Sequence, residues 1–105
     1  MNIDNNVWIG LAHVSDNKNH ALLNGAEEAY VNVLALAINK REFINKVKSS
    51  LLEIGFDFIN IEDVELYTQR IKNFEVDEII KNLEKRVRET KATQFSSFHT
   101  FNKGS

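Results

Sequence analysis

The chain has 105 residues, 43% of them hydrophobic and 10% aromatic, with 15 acidic and 13 basic side chains that leave a formal charge of −2. Such a composition predicts one folded domain over residues 1–105, excludes a disordered chain, and generates no field that would draw in nucleic acid. Cysteine is absent, which removes disulfides, thiolate metal sites, iron–sulfur clusters and a thiol nucleophile together.

The first six residues lack the basic start and apolar stretch of a signal peptide, and no later run is long enough for a membrane span, so a cytoplasmic protein with no membrane partner is expected. Residues 7–14 alternate as a strand, with Val7, Ile9 and Leu11 on one face and Trp8, Ala12 and Val14 on the other. Gly10 inside it marks a close approach, expected to come from Trp8 or a neighbouring ring. Residues 15–28 form a polar connection longer than a hairpin needs. It reads either as a binding loop carrying His20 or as a packed loop that tucks Leu22 and Leu23 inward and turns at Asn24-Gly25.

Residues 29–38 are the most apolar run and predict the central strand, with large side chains at both parities, so cover is required on two sides. Asn39 followed by Glu42 is a capping-box pattern opening a helix over 39–54, with Phe43, Ile44, Val47, Leu51 and Ile54 inward and Gly55 closing it. Residues 56–61 predict a strand whose alternation switches between Phe58 and Ile59, as a bulge would cause. In the acidic cluster 62–65, Asp63 is expected to cap a short helix carrying Val64, Tyr67 and Ile71, rather than to bind a cation. Asp77 opens a second long helix to about Thr90, with Ile79, Ile80, Leu83 and Val87 inward. Residues 93–101, rich in aromatic and hydroxyl side chains, predict the last strand.

The expected fold is therefore an α+β two-layer sandwich: a four-stranded, mainly antiparallel sheet, element order β-β-α-β-α-α-β, with the helices mostly on one face. One face would then carry an exposed apolar patch, best covered by a twofold partner, with Trp8 and Phe98 as the interface anchors. No phosphate-binding glycine loop, metal-ligand spacing or nucleophile elbow is present, so no catalytic residue, metal or cofactor is implied. His13, His20 and His99 are the only imidazoles, and none of their spacings presents a ligand pair from one helix or turn. Two functions follow. The first is a small bacterial-type protein-interaction module, such as an immunity or regulatory protein, acting as a homodimer or on another protein. The second is a small-ligand binder or modest enzyme with a pocket between the sheet and loop 15–28, using His13, His20, Tyr30, Tyr67 and His99.

Overall fold

A computed structural model describes residues 6–16 and 28–101. Strands β1 (Asn6–Asp16) and β2 (Glu28–Ala37) lead to helix α1 (Lys40–Glu53) and strand β3 (Phe56–Leu66), followed by helices α2 (Tyr67–Asn73) and α3 (Glu78–Thr90) and strands β4 (Gln94–Phe95) and β5 (His99–Phe101). The α+β sandwich and its element order are as expected. The sheet is antiparallel throughout in the order β3-β1-β2-β4, and β5 also pairs with β2. The expected last strand is thus two short pieces sharing one position. The break between them is stitched by Ser96, whose amide donates to the Asn32 carbonyl and whose Oγ accepts from the Asn32 amide, each at 2.9 Å.

Both parities of β2 are buried against different partners. Ala29, Val31, Val33, Ala35 and Ala37 face Phe43, Val47 and Leu51 of α1, and the alanines let the helix settle close to the strand. Leu34 and Leu36 face the opposite way and join Val7 and Ile9 beneath Tyr67, Leu83 and Val87. Two helices, α2 and α3, therefore share one face while α1 covers the other. The apolar face that an all-on-one-side arrangement would leave bare is covered at the end bearing Leu34 and Leu36.

Local signals explain most boundaries. Asn39 Oδ1 accepts from the Glu42 amide at 2.8 Å, and Glu42 Oε1 accepts from the Ile38 amide at 3.0 Å, so the capping box reaches one residue further back than the usual pattern. Asp77 Oδ1 accepts from the Ile80 amide at 3.0 Å at the start of α3. The Lys46 ammonium donates to the Leu36 carbonyl at 2.7 Å, beyond the point where β4 stops pairing with β2. Gly10 is covered by aliphatic chains rather than a ring: a Cβ there would lie 2.9 Å from Ile61 Cδ1 and 3.1 Å from Val64 Cγ2.

β3 differs most from expectation. The predicted bulge is present, because the pairing of β1 with β3 slips between His13 and Val14 and leaves Ile59 without an opposite residue. Residues 62–65, however, remain in the strand. The eleven-residue β1 supplies partners as far as Trp8 opposite Leu66, and that ladder outweighs a local cap. Asp63 is not the cap of α2, whose N-cap residue Leu66 makes no side-chain cap bond. It sits instead at a second bulge with φ 53°, a left-handed conformation that aspartate tolerates better than most residues.

Candidate functional site

Directly opposed residues of an antiparallel pair project from the same face. On the face shared with α2 and α3, Asn60, His13, Tyr30 and His99 therefore form one cross-strand row, and Glu62, Leu11 and Asn32 form the next. The structure brings together three of the five residues expected to bind a ligand. The His13 ring stacks on Tyr30 with centroids 4.7 Å apart, and its Nε2 lies 2.6 Å from Glu28 Oε1. His13 and His99 stand on either side of Tyr30 in this row, two strand spacings or about 10 Å apart along the sheet. Among the described residues no three His, Asp or Glu side chains form a metal-binding group.

Tyr67 lies elsewhere, buried at the start of α2 among Val7, Ile9 and Leu83. Burial raises the pKa of its phenol above the usual tyrosine value, with Glu84 and Glu78 adding to the rise and Arg88 opposing it. His20 and most of the expected binding loop lie outside the described residues. Trp8 and Phe98, expected at a dimer interface, pack within the chain on the α1 face. Trp8 Nε1 donates to the Ala37 carbonyl at 3.1 Å and its ring stacks on Phe43, while Phe98 stacks on Phe56 at 4.9 Å. Ser96 is committed to the backbone of Asn32.

Next to the polar row, where α2 and α3 end their cover, lies an open cleft of about 400 Å³. Its floor includes Ile9, only 1% exposed, and Asn32, and its sides come from the second bulge of β3, from Arg70 and from the link between α2 and α3. Arg70 ties these parts together: Nε donates to Glu65 Oε2 at 2.5 Å and Nη2 to the Asp63 carbonyl at 2.8 Å. The link places Phe74, 62% exposed, at the lip of the cleft. Phe74 also lines a second hollow with Ile71, Lys72 and Lys81, so its ring divides two depressions.

Four carboxylates line the cleft, those of Asp63, Glu65, Glu75 and Asp77, against the single guanidinium of Arg70. Glu65 is paired with Arg70 and Asp77 accepts from the first turn of α3. Among the described residues the Asp63 and Glu75 carboxylates have no hydrogen-bond or ion-pair partner. The sequence carried one signal for this site, a phenylalanine stranded in a polar link just ahead of the Asp77 cap, and hydrophobic periodicity passes over it because it belongs to no stripe. No protein-family model matches this chain, and no curated protein or solved structure matches it significantly.

Proposed function

We propose that the protein is a non-enzymatic interaction module of the cytoplasm that binds another protein through the cleft on the α2–α3 face. The observation that carries this reading is Phe74, an aromatic side chain 62% exposed at the lip of a cleft with a polar rim. Exposed aromatics in such settings are the usual anchors of protein interfaces. Co-purification on the tagged full chain tests it: a partner retained by the native protein should be lost from Phe74→Ala, whereas equal recovery on both would overturn the assignment of this face.

A second copy of the chain is a poor occupant. A twofold axis through the cleft itself would bring the Asp63 and Glu75 carboxylates of both copies together. The residues expected to anchor a dimer, Trp8 and Phe98, already have partners on the α1 face. Among the described residues the outer edge of β3 pairs with no strand; it carries Asp57, Glu62, Asp63 and Glu65 and is broken by two bulges, features that discourage edge-to-edge pairing. We therefore expect a monomer mass by light scattering coupled to size exclusion at micromolar concentration. A stable dimer would return the uncovered face to a second copy.

A further inference from the structure

Resting on the interaction reading above, we propose that the occupant of the cleft is a segment of another protein that sets a lysine or arginine against Asp63 and Glu75 and an apolar side chain against Phe74. Charge is the first reason. Of the four lining carboxylates, one is neutralised by Arg70 and one caps α3, which leaves two without a partner among the described residues. They stand beside the exposed ring of Phe74, and an arginine, planar and weakly hydrated, suits a surface that joins carboxylates to an aromatic face better than a strongly hydrated ion does.

The second reason is orientation. Across the Phe74 ring the neighbouring hollow is lined by Lys72 and Lys81 with Glu75 shared between the two, whereas Asp63, Glu65 and Asp77 line the cleft alone. Negative charge is therefore denser on the strand side of Phe74, and a cation is favoured there over the helix side. The third reason is shape. Sites for small molecules enclose most of their ligand, whereas here the ring at the lip is itself largely exposed and the depressions run on either side of it. An extended chain lying over Phe74 fills that form.

Panning a phage-displayed random heptapeptide library on the immobilised full chain, then titrating the selected synthetic peptides, tests the proposal. Selected peptides should carry Arg or Lys next to an aromatic or aliphatic residue and should bind more weakly as salt rises. The double reversal Asp63→Lys with Glu75→Lys should weaken them by about tenfold or more, and Phe74→Ala by about tenfold. All three side chains are exposed, and thermal unfolding of each variant, with Glu75→Lys alone where the left-handed backbone at Asp63 resists lysine, separates lost binding from lost fold. Peptides that need Phe74 but are neutral or acidic, and that ignore the charge reversal, would overturn the cationic occupant while leaving the interaction reading intact. Arginine amide binding as tightly as the peptides would replace the protein segment with a small amine. A library yielding no peptide sensitive to Phe74→Ala would overturn both readings.

Discussion

Leu51→Ala is expected to lower the unfolding free energy by about 2–5 kcal/mol, the range for emptying a fully buried leucine site. Leu51 is the last of three completely buried residues on α1, after Phe43 and Val47, and its surroundings leave little room for relaxation. It shares its cluster with Ala29, Val31, Val33, Ala35 and Ala37 of β2, a strand that β1 holds along its length. Urea titration measures it, with Leu52→Ala as the internal control, because Leu52 is one residue away and 65% exposed. A change at Leu51 of under about half a kcal/mol, the level of surface substitutions, would mean that α1 does not pack on the sheet.

Leu51 was legible in the sequence because a helix on a sheet repeats its contact every three to four residues, and 43, 47 and 51 keep that beat. The same stripe over-reached at Ile54, which the Gly55 turn carries out to solvent. The double-sided burial of β2 was legible from large side chains at both parities, but periodicity is silent on what covers each parity. Only the three-dimensional path of α2 and α3 puts two helices opposite α1. Residues 62–66 were misread for a related reason. An aspartate ahead of an apolar stripe is a local cap signal, and the competing signal, a partner strand long enough to keep β3 extended, lies fifty residues away in β1. The cleft was harder still, since its parts come from β1, β2, β3, α2, α3 and the link between the two helices. Of the residues proposed for a ligand, His13, Tyr30 and His99 were correctly placed in strands, yet nothing in their spacing foretold that register would line them up in one row.

Leu34→Ala should likewise cost about 2–5 kcal/mol, and it tests the opposite face. Leu34 follows Val33 by one residue and is completely buried, but among Val7, Ile9, Leu36, Tyr67, Leu83 and Val87 instead of against α1. If α2 and α3 belong to the same cooperative unit as the sheet, the full loss appears in a single unfolding transition with an unchanged denaturant slope. A loosely docked pair of helices would give a small loss, with early amide exchange confined to α3. Because the sheet separates Leu34 from Leu51, the double variant should be additive within about half a kcal/mol. The two substitutions should nevertheless part company in binding. Val76 and Ile80, which line the cleft beside Phe74, pack against the Leu34 cluster and not against α1. At equal loss of stability, under conditions where both variants stay folded, Leu34→Ala should weaken the selected basic peptides while Leu51→Ala leaves them unchanged. Equal effects on binding would place the occupant somewhere other than the cleft carried by α2 and α3.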